Sequence, residues 1–481
     1  MKRSALVGLA AAMLLGASPS HAVGTRSHGE VGRMCVENYL QDADPMLPGL
    51  GSMFKDAEIR RSLYGGCAFS DWGFGGVNQQ AGEASHWRPF ENAWAGVLKE
   101  RRYTIAPSET ARMELAFFMG AVCHNIADLP WHFSHGKDLS FIHKAGEMDH
   151  ATHIDCDLGL DLVRHAGKPL GLAQTPSDWV PFDTIMAAMR SAKINATEEQ
   201  VRKGVKRERG VLQGMSLAGV LAAGQYQPKL KWGMAHAMDY YYGGLEHGAA
   251  ASAMWCRYWY ADIMGGYCLQ QMPRYFDNVA KDFGYVPYLG TTDTTLLERL
   301  PTNNAGQEPI LEAGGPAGNR RAILLRFDLA DVPKDAKVGK ATLWLACAGP
   351  VEGVGGSVPL AVYPAPGAWK EGRGSSNSCN GVEGRAAEAG EATWSTLPAA
   401  CGDPVARALL EKADEHQWVA FDVTALVSSW IMDQGGNNGF LIRSTSDAAA
   451  KFFSAQAFQA TPDGYCGGTR VAYRPMLIIL P

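Results

Sequence analysis

Histidines and carboxylates recur at helical spacing in one stretch of this chain. Seven histidines lie between residues 124 and 165. Side chains four apart share a helix face, so His-x-x-x-Asp offers an imidazole and a carboxylate to one ion. The chain has this spacing at His124/Asp128 and again at His153/Asp157, with Asp161 one turn further on. His132 stands four beyond Asp128. Pro130 between them is expected to end the helix, leaving His132 beyond it but able to turn inward. Asp71 and His86 are a further acid and imidazole, and His28 stands near the start of the chain. His143/Glu147 has the same spacing and competes with His153/Asp157. A single histidine on an apolar helix is more often a packed or solvated residue, so spacing alone leaves metal binding and packing both open. His135, His150, His165 and His236 read as solvated or supporting residues. Trp72, Phe74, Trp87 and Trp131 flank these positions and could line a pocket or simply pack.

The elements that carry these residues read as helices. Leu115, Phe118, Met119, Val122 and Ile126 form one stripe within Arg112 to Ala127, the pattern of an amphipathic helix. Eleven of the thirteen histidines fall between 28 and 280. From about Pro287 the period changes to short runs such as Ile323–Asp328, Ala341–Leu345 and Trp418–Val423, bounded by Gly, Pro and Asn. That texture predicts antiparallel strands. The expected architecture is α + β and multidomain: an all-α helical domain over 23–284, then an antiparallel β-sandwich over 285–481.

The chain has 481 residues and a net charge of −5. It offers no basic field for nucleic acid, and none is expected as a partner. Residues 1–22 read as a secretory signal: Lys2 and Arg3, an apolar run Ala5–Leu15, and small residues Ser20 and Ala22 before a cut ahead of Val23. The expected location is secreted or periplasmic. Six cysteines precede the boundary and four follow it. Even counts in an oxidising compartment fit disulfides, and no C-x-x-C occurs.

Six blocks in order resemble the zinc-dependent phospholipase C family, and within it the glycosylphosphatidylinositol-specific phospholipase D branch. They are Gly24–Arg33 with His28, Tyr64–Asp71, Ala84–Phe90 with His86, His124–His132, His153–Asp161 and Tyr242–His247. The resemblance implies a helical domain holding two or three zinc ions. Asp71, His86, His124 and Asp128 would form one site. Asp128 would bridge to a second, completed by His28 and the backbone of Val23. His132, His153 and Asp157 would form the third. Asp71 and Asp128 would be the catalytic carboxylates, and Trp87, Trp131 and His247 would contact substrate. The chain departs from the pattern in two places. No Trp stands near the expected N-terminus, and Asp157 replaces a Glu.

Residues 290–481 resemble the DNRLRE-type β-sandwich domains through Pro301–Gly306, Leu324–Leu329, Thr393-Trp394, Phe421–Thr424, Trp430 and Asn437–Ser444. This implies an accessory module for glycan or surface contact. Asn303, Asn304, Asp328 and Asp422 read as turn formers rather than ligands. Together the resemblances imply an exported phosphodiesterase cleaving phospholipids or glycosylphosphatidylinositols at a membrane surface, of C or D type. A single-strand nuclease and a non-catalytic surface or glycan-binding protein with structural zinc are the alternatives.

Overall fold

A computed structural model describes residues 24–101, 108–133, 140–171, 174–239, 243–272, 284–285, 288–349, 357–376, 382–396, 402–411, 415–444, 446–457 and 471–481. The expectations for residues 1–22, Val23, His135, Tyr242, Cys379, Cys401 and Cys466 lie outside these. The chain is an α+β multidomain protein, with helices in one compact unit and antiparallel sheet in the other. Among the described residues no helix is long and apolar enough to cross a membrane.

The helical unit runs to Met264 and includes Gly284 and Tyr285. Seven of its helices matter for the site: α1 (Thr25–Cys35), α2 (Ala57–Cys67), α3 (Gln79–Ser85), α4 (Glu109–His132), α5 (Leu160–His165), α6 (Glu198–Tyr226) and α7 (Leu245–Ile263). Asp56 caps α2 by accepting from Glu58 N and Ile59 N, and Ser108 caps α4 by accepting from Ala111 N. These side-chain caps satisfy amides that a helix start leaves open. Every residue of α4 from Met113 to His132 is buried. A helix apolar all round belongs at the centre of its unit, and α1, α2 and α7 pack around it. α2 crosses α4 backbone to backbone. A Cβ on Gly66 would lie 1.9 Å from Phe117 O, and one on Gly120 would lie 1.9 Å from Leu63 O.

The expectation that Pro130 ends this helix is corrected: α4 continues through it to His132. Pro130 sits in the last turn, so only one intrahelical bond is forfeited there.

The second unit contains Gly265–Pro273 and the chain from Pro287 onward. Its strands are β1 (Tyr267–Gln270), β2 (Thr291–Leu297), β3 (Asn303–Asn304), β4 (Ile310–Gly314), β5 (Arg321–Phe327), β6 (Lys340–Ala346) and β7 (Ser357–Pro364). They continue as β8 (Arg385–Ala386), β9 (Ala406–Glu411), β10 (Trp418–Asp422), β11 (Phe440–Ser444), β12 (Ala449–Phe453) and β13 (Met476–Leu480). One sheet has the order β1-β13-β6-β10. The other runs β12-β4-β5-β11-β7-β9, with β2 also on β5. Ile323, Leu325 and Phe327 of one sheet share a core with Leu343, Leu345 and Leu477 of the other. Inward side chains two apart on both sheets make the sandwich. Asn304 is buried, accepting from Gly306 N and Gly374 N and donating to Glu371 O and Ala392 O. Asp328 and Asp422 accept from Ala330 N and Thr424 N at strand ends, the turn roles read from the sequence.

Candidate metal centre

Three groups of imidazoles and carboxylates converge within the helical unit: His28, His124 and Asp128; Asp71, His86 and His124; and His132, His153 and Asp157. α4 supplies His124, Asp128 and His132 at successive turns of one face. Asp71 comes from the short 3₁₀ turn Ser70–Gly73, and His86 follows the end of α3.

The separations discriminate an ion from hydrogen bonding. His86 Nε2 is 3.3 Å from Asp71 Oδ1, and His124 Nε2 is 3.7 Å from both Asp71 Oδ1 and Asp128 Oδ2. Asp128 Oδ1 stands 3.4 Å from His28 Nε2 and 3.8 Å from His132 Nε2. Two ligand atoms at about 2.05 Å from one tetrahedral zinc stand about 3.3 Å apart. Nitrogen–oxygen hydrogen bonds are mostly about 2.7–3.2 Å. Asp128 therefore faces all three groups as a bridging carboxylate would. His28 and His124 stack at 3.5 Å between ring centroids, and His132 and His153 at 4.7 Å.

Tautomers reinforce the geometry. His124 donates from Nδ1 to Cys67 O at 2.7 Å, and His86 from Nδ1 to Gly82 O at 2.9 Å. A carbonyl only accepts, so each neutral ring keeps its Nε2 lone pair free to ligate. Those two Nε2 atoms and Asp71 Oδ1 are buried without a hydrogen-bond partner. Unsatisfied buried polar atoms carry a desolvation cost that a cation at this point would remove. The residues present thus fit a divalent cation of the zinc class.

Electrostatics follow the same layout. Burial holds the His124 imidazole down to about 4. Burial alone would raise Asp71, but His124 and His86 outweigh it and leave its carboxyl below the ordinary range. Burial pulls His86 down, and Asp71 more than offsets this. Burial pushes Asp157 up to about 7. The hydrogen bond to Asp157 raises His153. Asp157 Oδ2 and His153 Nε2 lie 2.8 Å apart.

Support reaches the ligands from outside. Asp161 does not face His153, because the π-helical turn Asp155–Gly159 intervenes and rotates the following residues. Its carboxylate accepts from Arg26 N at 2.9 Å and Ser27 Oγ at 2.7 Å, and lies 3.2 Å from His165 Nε2. That anchors the first turn of α1 at the two residues that precede His28. A Cβ on Gly24 would fall 2.3 Å from Asp161 Cβ, so only glycine fits there.

Trp131 was expected to touch substrate. It is buried, stacks on Phe141 at 3.9 Å and donates from Nε1 to Asp157 Oδ1 at 2.9 Å; its ring is used in orienting a carboxylate. Trp72 and Phe74 are buried too. His247 is buried in the first turn of α7. Trp87 is half-buried and lines a cleft of about 450 Å³ with His132, Phe133, Ile142, His143 and His153. A larger cavity of about 510 Å³ beside Arg26, Glu30 and Arg164 is lined by none of the candidate ligands, so the smaller cleft is the one that meets the chemistry. His143 bonds Ser140 and Glu147 pairs with Lys144; the competing pair does not join a group of convergent ligands among the described residues.

Two residues near the centre escaped sequence reading. Glu208 is buried, and burial, then Asp71, push its carboxyl up to about 8. It stands among Arg202, Lys203, Lys206, Arg207 and Arg209, a run that reads as a solvated face. Glu91 is buried, accepting from Asn125 Nδ2, Tyr285 Oη and Trp259 Nε1, which locks the residue after His124.

The model of carbohydrate-binding module family 96 matches residues 285–463. The chain is similar to phosphatidylinositol-glycan-specific phospholipase D of Rattus norvegicus, 27% identical over 162 residues, covering 32% of this chain and 19% of that protein. The Dictyostelium discoideum protein of that name is 25% identical over 210 residues, covering 42% of this chain and 21% of its own length. The human one is 27% identical over 146 residues, 29% and 17% respectively. The chain thus aligns with about a fifth of the length of these relatives.

Proposed function

We propose that the helical unit is a zinc-dependent phosphodiesterase that cleaves phospholipids or glycosylphosphatidylinositols, with two or three ions held by His28, Asp71, His86, His124, Asp128, His132, His153 and Asp157, and the backbone of Val23 completing the His28 site. The observation that carries this is the convergence of three His/carboxylate groups around Asp128, two of them wholly buried, at separations suited to shared ions. Zinc held there supplies Lewis-acid polarisation of a phosphodiester and acidifies a water molecule. Asp71, 3.3 Å from His86 Nε2 and 3.7 Å from His124 Nε2, would take up that water's proton. Asp128 orients His28, His124 and His132. Trp87 and the aromatic wall of the cleft receive the lipid or sugar portion of the substrate, and His247 supports the site from α7. The second unit is an accessory module of DNRLRE type for a glycan or surface, a reading that the family 96 match favours. Export to the periplasm or medium belongs to the same proposal.

The test is metal content together with turnover of phosphatidylcholine and of a glycosylphosphatidylinositol, on the exported protein and on His124→Ala. Two or three zinc ions per chain with chelator-sensitive cleavage lost in the variant is the expected result. Phosphorylated headgroup would identify type C and phosphatidic acid type D. Bound zinc without turnover on either substrate would overturn the enzymatic reading in favour of a binding protein.

A further inference from the structure

The helical unit contains a second convergence of ligand-type side chains, made of sulfur. Cys35 ends α1, Cys123 lies in the middle of α4 and Cys256 in the middle of α7; all three are fully buried. Their Sγ atoms lie within 4.8 Å of one another, and Cys123 Sγ is 4.0 Å from Cys256 Sγ. Cys67, at the end of α2, is buried within hydrogen-bond reach of Cys123. Its Sγ lies against the α1 backbone, where a Cβ on Gly32 would come within 2.5 Å. The seven described cysteines, these four among them, are thiols without a disulfide.

A disulfide needs sulfurs about 2.05 Å apart and joins two of them. Cys123 Sγ and Cys256 Sγ stand at about twice that separation. Sulfurs on one tetrahedral zinc, each about 2.3 Å from the ion, stand about 3.8 Å apart, close to the spacing seen. Four thiolates around a divalent ion leave two net negative charges, and a buried unpaired charge is strongly destabilising. The Arg257 guanidinium offsets one of them. It is 1% exposed, follows Cys256 directly, donates to Tyr39 O at 2.8 Å and exerts its field on Cys35.

We propose that Cys35, Cys123 and Cys256, with Cys67 as the fourth sulfur, form a closed thiolate site for one zinc-class ion, separate from the His/carboxylate centre. The site is structural, because its four sulfurs are fully buried and would fill a tetrahedral shell. It fastens α1, α2, α4 and α7 to one another directly beneath His28 and His124. It fills as the chain folds, since a site this deep has no entry path afterwards.

The test is protein produced with cobalt in place of zinc, read by near-ultraviolet absorption. Sulfur ligation gives an intense charge-transfer band that nitrogen and oxygen ligands do not. The expected result is this band in the wild type, its persistence in His124→Ala, and its loss with one cobalt fewer per chain in Cys35→Ala/Cys256→Ala. Should the double variant fail to fold, thiol alkylation of denatured wild type without reductant decides. All four cysteines reacting, alongside the band, supports the site. Absence of the band overturns it, as does failure of these cysteines to react until a reductant is added, which would reveal disulfides.

Discussion

His124 donates from Nδ1 to the carbonyl oxygen of Cys67 at 2.7 Å. One hydrogen bond thus fixes both the tautomer of a candidate ligand and the register of α2 on α4. It exists because Gly66 and Gly120 let the two helix backbones touch. Gly120→Ala would drive a methyl group into Leu63 O. Overpacking of this kind costs about 1–3 kcal/mol or more. The expected outcome is a lower melting temperature together with weaker metal retention, followed by calorimetry and chelator competition. Loss of stability with metal affinity intact would separate the packing from the ligand geometry.

Trp131 donates to Asp157 from within the core. Trp131→Phe keeps most of the packing on Phe141 and deletes that donor. Outer hydrogen bonds to metal ligands are typically worth 10–100-fold in affinity or activity. We expect zinc affinity at the His132/His153/Asp157 group to fall by a factor in that range, with unchanged circular dichroism. A competition titration with a chromogenic chelator reads this, and an unaltered affinity would reduce the indole to a packing role.

The shared face of His124 and Asp128 was legible because a helix converts spacing into direction, whereas His132 joins that face only because α4 runs on through Pro130. What escaped reading depends on departures from regular geometry or on long-range contacts. Asp161 continues the spacing of His153 and Asp157, yet one π-helical turn sends it to the N-terminal end of α1. Trp131 looks like a pocket aromatic until its indole proton is located. Glu208 lies in a charged run, and its burial depends on α6 packing near Asp71. In the second unit the turn roles of Asp328 and Asp422 were readable, since their bonds are local, whereas Asn304 binds chain 67 to 88 residues away and β1 was assigned to the helical domain because its partner β13 lies about 200 residues away.

Two buried carboxyls set a pH dependence in the second unit. Burial, then Glu371, raise Asp293 well above its ordinary value, and burial pushes Glu371 up to about 7. Asp293 N donates to Glu371 Oε1 at 2.8 Å. Carboxyls raised on folding bind more protons in the folded than in the unfolded state, so stability falls as pH rises. Their contribution is fully present below the ordinary carboxyl range and is lost as pH climbs through about 7. The unit should melt at a higher temperature at about pH 5.5 than at about pH 8. Glu371→Gln should flatten this dependence by on the order of 5 °C. Calorimetry of the full chain at both pH values checks it, and an unchanged slope in the variant would place the titration elsewhere.

The strand Tyr267–Gln270 precedes the change of texture but completes the sheet of the second unit, pairing with β13 over four residues from Tyr267↔Ile479 to Gln270↔Met476. Cys268, Leu269 and Gln270 are buried there, and Gln270 donates to Ala472 O and Arg474 O. A fragment beginning at 285 would expose the open edge of β13 and remove Leu269, worth about 1.5–3 kcal/mol of burial, along with two buried hydrogen bonds. A fragment beginning at 265 keeps all of these. The expected outcome is cooperative unfolding of fragment 265–481, with fragment 285–481 less stable by at least about 3 kcal/mol and prone to associate through the bared edge. Denaturant titration and light scattering of the two fragments read both effects. Equal midpoints would mean that β1 rests on the sheet without contributing to its stability.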